Sequence, residues 1–210
     1  YPLINLGFSG NGQLEKGVLN YIIEQDARIY ILDCLPNLTQ KTEQEVTDLV
    51  IAAVKQIREK RNAPILLVEH AGYSNAPSDQ RQYESYTRLN AASRKGHEAL
   101  LQAGVKDLYY LTHEELNYPP DAWVDYVHPS DLGATYQATA VEKKVRDILR
   151  LPVGDRPTTQ PVTQRREPNN YEWQTRHRDI LKHIQQNPPK AVILGNSITH
   201  FWGGEPAGPR

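Results

Sequence analysis

The chain has 210 residues, and its 24 basic and 25 acidic side chains leave a formal net charge of −1. That balance excludes the electrostatic footprint of a nucleic-acid or membrane-surface binder, and no apolar run reaches the length of a membrane span. The single cysteine, Cys34, excludes an intrachain disulfide and a cysteine-based metal site, and a chain of this length suits one domain of ordinary size.

Leu3 to Leu6 reads as a short strand, and Gly7-Phe8-Ser9-Gly10-Asn11-Gly12 after it as a loop whose amides can approach a ligand. Leu14 to Gln25 has a helical apolar period, and Ile29 to Leu32 is a buried strand followed by Asp33-Cys34-Leu35-Pro36-Asn37. Thr42 to Lys60 is an amphipathic helix with Val46, Leu49, Val50, Ala53, Val54 and Ile57 on one face. Pro64 to Val68 is the next strand, ending in Glu69-His70-Ala71-Gly72. Tyr83 to Gln102 is predicted as helix, with Gly104 as its stop signal, and Leu108 to Leu111 as strand. Thr112 to Val127 is irregular, and Ser130 to Leu149 is a helix capped by Ser130 or Asp131.

Strand and helix alternate, which predicts a parallel sheet in a three-layer α/β/α domain over residues 1–150. In such sheets ligands bind beyond the carboxyl ends of the strands. The Gly-rich and polar segments GFSGNG, DCLPN, EHAG and THEE all fall on that rim. Residues 151–170 hold Pro152, Pro157, Pro161 and Pro168 and read as an extended linker. Residues 171–210 begin with a second amphipathic stretch, Tyr171 to Gln186. The strand Ala191-Val192-Ile193-Leu194 and then Gly195-Asn196-Ser197 follow.

A serine on a sharp turn after a strand is a nucleophile candidate, and equally a helix cap. Asp125 stands three residues before His128 in a loop ahead of a helix. A carboxylate there can hold one imidazole nitrogen and leave the other to take a serine proton. The same pair can also be a surface contact. Acyl transfer needs amide donors aimed at the oxyanion, and Gly10 and Asn37 are placed to supply them, unless they serve only a turn and a cap. Ser9 is a rival nucleophile. Glu69 and His70 could line a substrate pocket or be bonded at the strand end. Trp123, Tyr126 and Trp202 could face a sugar or an acyl chain, or anchor in core. The remaining histidines show no ligand spacing, so neither a metal nor a cofactor is expected.

Taken together, these blocks resemble the SGNH (GDSL-type) hydrolase family. Gly195-Asn196-Ser197-Ile198-Thr199 is similar to the block that carries the nucleophile. Asn5 to Asn11 is similar to the second, Leu35-Pro36-Asn37 stands where the third places its Asn, and Asp125 to Pro129 is similar to the fifth. The resemblance implies a flavodoxin-like fold with Ser197 as nucleophile, His128 as general base and Asp125 as its partner. Gly10 and Asn37 would be the oxyanion donors together with the Ser197 amide. It implies a serine esterase that removes an acyl group, acetyl among them, from a carbohydrate or lipid ester, with no cofactor.

This sequence departs from the family pattern. Asn196 replaces the usual Asp, the third block reads Cys34-Leu35-Pro36-Asn37-Leu38, and the serine block comes last instead of first. Three arrangements fit that order. The last strand folds back into the vacant first-strand slot, or fills that slot in a second copy as a swapped homodimer, or opens a tandem hydrolase domain. The alternative function is a non-catalytic module that binds a partner or braces an adjacent hydrolase domain. The linker and the tandem signs fit a secreted or periplasmic glycan-processing protein.

Overall fold

A computed structural model of the chain describes residues 3–8, 10–151, 182, 185–186 and 191–195, the last by backbone alone. The elements in order are β1 (Leu3–Asn5), α1 (Lys16–Glu24), β2 (Tyr30–Asp33), a 3-10 turn (Leu35–Asn37), α2 (Glu43–Arg58), β3 (Ile65–Val68), α3 (Gln80–Gln102), β4 (Leu108–Leu111), α4 (His113–Leu116), α5 (Asp131–Leu149) and β5 (Ala191–Gly195). The strands form one parallel sheet in the order β1-β5-β2-β3-β4. Counted from β5 as the first strand, this is the 2-1-3-4-5 order of flavodoxin-like sheets.

The central strands are apolar on both faces because both faces are covered. Tyr30, Leu32, Ile65 and Leu67 meet α1, α2 and α3, which contribute Leu19, Ile22, Val46, Val50, Val54, Ile57, Leu89 and Leu100. Ile31, Leu66 and Val68 turn the other way, onto Leu116 of α4 and Val141 of α5. The result is the expected three-layer α/β/α fold.

Polar side chains fix the starts of α2, α3 and α4. Thr42 and Glu45 make a reciprocal capping box at α2: Thr42 N–H donates to Glu45 Oε2 (2.7 Å) and Glu45 N–H to Thr42 Oγ1 (3.2 Å). α3 starts three residues before the expected Tyr83 because Asp79 caps it, accepting from Arg81 N at 3.0 Å. Its first residues, Gln80-Arg81-Gln82, are polar and leave no mark in an apolar period. The stretch expected to be irregular holds the single turn α4, fixed by a second capping box between Thr112 and Glu115.

β5 runs between β1 and β2 of its own chain. Leu3 pairs with Ala191 and Asn5 with Ile193 on one side; Tyr30 pairs with Val192 and Asp33 with Gly195 on the other. Its carboxyl end therefore opens on the rim that carries the loops after β1 and β2. The expected linker from Pro152 onward lies outside the described residues. So does the expected Tyr171–Gln186 helix, except Lys182, Gln185 and Gln186, which are helical.

α5 approaches the preceding loop so closely that its third residue has no room for a side chain. A Cβ on Gly133 would stand 2.1 Å from Ala122 O and 2.8 Å from Pro129 Cβ. Gly133→Ala is expected to destabilise the fold by about 1–3 kcal/mol or more, since backbone must move to admit the methyl group. Urea unfolding measures this, and an unchanged midpoint would refute the close contact.

Candidate active site

β1 ends at Asn5, whose Oδ1 accepts from Gly7 N at 2.8 Å and turns the chain out of the sheet. Phe8 O then accepts from Asn11 N (2.9 Å) and Gly12 N (3.0 Å). That tight turn holds Gly10 at φ +72°, a left-handed conformation that glycine adopts without steric cost. The Gly10 N–H is not one of the donors that close the turn. From the neighbouring strand end, the Asn37 side-chain Nδ2 donates to Gly12 O at 3.3 Å. The structure thus brings the Gly10 loop and the Asn37 amide together.

The Asp125–His128 loop is built from residues near in sequence. Trp123 and Pro129 form an antiparallel bridge, and Val124 N donates to His128 O at 3.0 Å, which closes the loop at its base. Ser74 N donates to Tyr126 O at 2.9 Å and ties the loop to the segment after β3. Inside it, Asp125 Oδ1 accepts from Val127 N (2.8 Å) and His128 N (2.7 Å), while Oδ2 lies 2.7 Å from His128 Nδ1. Desolvation pushes the Asp125 acid upward; the bonds from the His128 and Val127 amides and the His128 ring outweigh it, and the acid is held below its usual range. Asp125 is therefore ionised at neutral pH and accepts from Nδ1–H. This makes Nε2 the ring nitrogen through which a proton is taken up. Both side chains remain open to solvent, at 52% for Asp125 and 39% for His128, so a substrate can reach them.

Ser197 and Ser9, the two nucleophile candidates, lie outside the described residues, as does Trp202. The backbone of β5 is described as far as Gly195, beside Asp33 at the same rim. Ser197 follows two positions later in the sequence.

Glu69 and His70 are both buried and bonded within the fold. The Glu69 side chain is fully buried, clamped by Nε and Nη2 of Arg94, and accepts from His113 N at 2.6 Å. Arg94 Nη2 also reaches Glu114 Oε2 at 3.2 Å. The bond to Glu69 holds the Arg94 guanidinium even more firmly protonated than usual. The His70 backbone is clipped to Asn90 by two bonds, Asn90 Oδ1 accepting from His70 N (2.9 Å) and Asn90 Nδ2 donating to His70 O (3.1 Å). Its ring is buried, and burial, with a smaller push from His113, drives its pKa down to about 3. Nδ1 accepts from Gly72 N at 2.9 Å, so the neutral ring carries its proton on Nε2, which is buried without a partner among the described residues. The ring lies 4.7 Å from that of Tyr73.

Trp123 is half-buried and packs on Tyr118, ring centroids 4.9 Å apart. Sequence reasoning did not single out Arg94, Tyr118 or Gln137. Gln137 did leave a signal: it sits with Gly133 and Val141 on the buried stripe of α5, where an apolar residue is the norm. Among the described residues no group of three or more His, Cys, Asp or Glu side chains is placed to hold a metal.

A family model described as GDSL-like lipase/acylhydrolase family matches residues 1–146. A crystal structure from Bacteroides ovatus ATCC 8483, described as a candidate GDSL-like lipase, is similar at 32% identity and a TM-score of 0.64. The match covers 70% of this chain and 43% of that one. The salicylyl-acyltransferase SsfX3 from a tetracycline biosynthetic pathway shares the fold at 16% identity and a TM-score of 0.55, over 68% of this chain and 44% of that one. The chain thus spans less than half the length of either protein. Nothing matches among curated proteins.

The buried Glu69 carboxylate relies on Arg94 for its charge partner. Arg94→Met keeps the aliphatic packing and strands the carboxylate, so the variant is expected to lose about 3–5 kcal/mol of stability. Urea denaturation of Arg94→Met and of the double variant Arg94→Met/Glu69→Gln checks this. The second change should restore part of the loss; equal stability of wild type and single variant would overturn the assignment.

Proposed function

The chain belongs to the GDSL-like lipase/acylhydrolase family, and from that premise we propose that it is a serine esterase. Its substrate is an acyl ester, acetyl among the candidates, of a carbohydrate or lipid. Ser197 Oγ attacks the ester carbonyl carbon while His128 Nε2 takes the hydroxyl proton. The carbonyl oxygen becomes an oxyanion, to which Gly10 N–H, the Asn37 side-chain amide and Ser197 N–H donate. The intermediate collapses, the C–O bond to the alcohol breaks, and His128 returns the proton to the leaving oxygen. Water then attacks the acyl-enzyme with the same base, which releases the acid and restores Ser197. Asp125 stays ionised throughout and balances the imidazolium charge.

The observation that carries this reading is the 2.7 Å contact between Asp125 and His128 Nδ1, which orients Nε2 as the base. The register of β5 supports it, because Gly195 stands beside Asp33 and the chain leaves β5 on the rim that also holds the Gly10 loop and Asn37. The likeness to an acyltransferase is one of fold, and the acceptor alcohol or water is decided by the reaction itself.

Hydrolysis of p-nitrophenyl acetate tests the reading. Ser197→Ala is expected to lose at least about 10³-fold in kcat/KM, and Ser9→Ala to stay within about threefold of wild type if its place is in the oxyanion loop. Unchanged turnover in Ser197→Ala removes the mechanism. A wild-type chain inert toward this ester and toward acetylated sugars and short-chain lipid esters is instead a binding module.

A further inference from the structure

Beneath the Asp125–His128 loop runs a buried polar chain that the mechanism above does not use. Gln137, in the middle of α5, is 2% exposed. Its Nε2 donates to Asp33 Oδ2 at 3.0 Å, and its Oε1 accepts from the Tyr118 hydroxyl at 2.5 Å. Burial, reinforced by the Asp33 charge, keeps the Tyr118 phenol protonated and therefore a donor. The direction of the chain is fixed: a flipped Gln137 amide would set its carbonyl against the Asp33 carboxylate. The Tyr118 ring rests on Trp123, and Trp123 forms one side of the bridge that closes the Asp125–His128 loop. At the other end, Asp33 is the register partner of Gly195 in β5.

We propose that Gln137 is a positioning residue that locks the Asp125–His128 loop to the sheet end formed by Asp33 and Gly195. This rests on the assignment of His128 as the general base. An apolar side chain at this place on α5 would cost the buried Asp33 carboxylate and the Tyr118 hydroxyl one hydrogen bond each, so the amide ties together two polar groups that come from different parts of the chain. Every polar atom of Gln137 at this point is spoken for, one by the sheet and one by the loop's support. The Asp125–His128 loop and the end of β2 come from segments far apart in the sequence, and Gln137 is bonded to Asp33 on one side and to Tyr118, which supports the loop, on the other. An error of a fraction of an ångström between them would spoil proton transfer while leaving the fold intact.

Two variants in the full chain test this. Gln137→Leu cuts both bonds at similar volume, and Tyr118→Phe removes the hydroxyl while keeping the ring on Trp123. The first readout is the His128 imidazole titration followed by NMR, together with its low-field Nδ1–H resonance. The second is the kcat and KM for p-nitrophenyl acetate. Gln137→Leu is expected to move the His128 midpoint by about half a pH unit or more and to lower kcat about tenfold with KM within about twofold. Tyr118→Phe should move both in the same direction by less. Folded variants with wild-type His128 titration and wild-type kcat overturn the proposal. If Gln137→Leu does not fold, Tyr118→Phe decides alone. If wild type hydrolyses no ester, the esterase reading falls, and the His128 titration still decides the positioning role.

Discussion

Parallel pairing of β5 on both of its edges is the constraint from which the rest follows. β1 has its ladder only with β5 among the described strands, and β2 presents one whole edge to it. An empty slot would leave two backbone edges unpaired in the middle of a sheet, which parallel α/β folds do not tolerate. The Asn5–Gly12 loop, and with it the Gly10 turn, hangs from the end of β1. Its place beside Asn37 therefore depends on a strand near the other end of the sequence. The long connection costs little in closure entropy, because that cost grows only logarithmically with length. It costs more in time, since pairings between distant segments form late.

Most of the fold was legible because buried parallel strands and amphipathic helices write strong apolar patterns. Ile29 to Leu32 and Pro64 to Val68 read as short strands, and the Val46–Ile57 stripe repeats at helical spacing. The observed β2, β3 and α2 depart from these readings by one or two residues at their ends. What the pattern missed was polar. The start of α3 is set by Asp79, and α4 by Thr112 and Glu115; neither signal carries apolar periodicity. At α2, α3, α4 and α5 a hydrogen-bonding side chain marks where the helix begins, while α1 starts without such a cap.

The candidate site divides along the same line. Asp125 and His128 were legible because their contact is local: three residues of chain and two backbone amides suffice to build it. Glu69 and His70 stood on the right rim by sequence, but their partners lie on other elements. Arg94 reaches Glu69 from α3, and Asn90 clips His70 from the same helix. No spacing rule could have shown that Arg94 holds the Glu69 side chain in the interior or that Asn90 fixes the His70 backbone. Gln137 is the intermediate case. Its position on the buried face of α5 was readable as an anomaly, and its partners Asp33 and Tyr118 were not.

The buried ring of His70 has a consequence for the molecule as a whole. In the unfolded chain this imidazole binds a proton near pH 6.5; in the fold it resists one until about 3. Its contribution to stability is fully present above the first value and is lost as the solution is acidified toward the second. The loss approaches about 1.4 kcal/mol for each pH unit in that window, against a total of about 5–15 kcal/mol for an ordinary domain. Asp125, whose acid is depressed, adds a loss of the same sign at lower pH. Sensitivity to acid thus originates in the interior beside β3, at a ring whose burial disfavours its charged form.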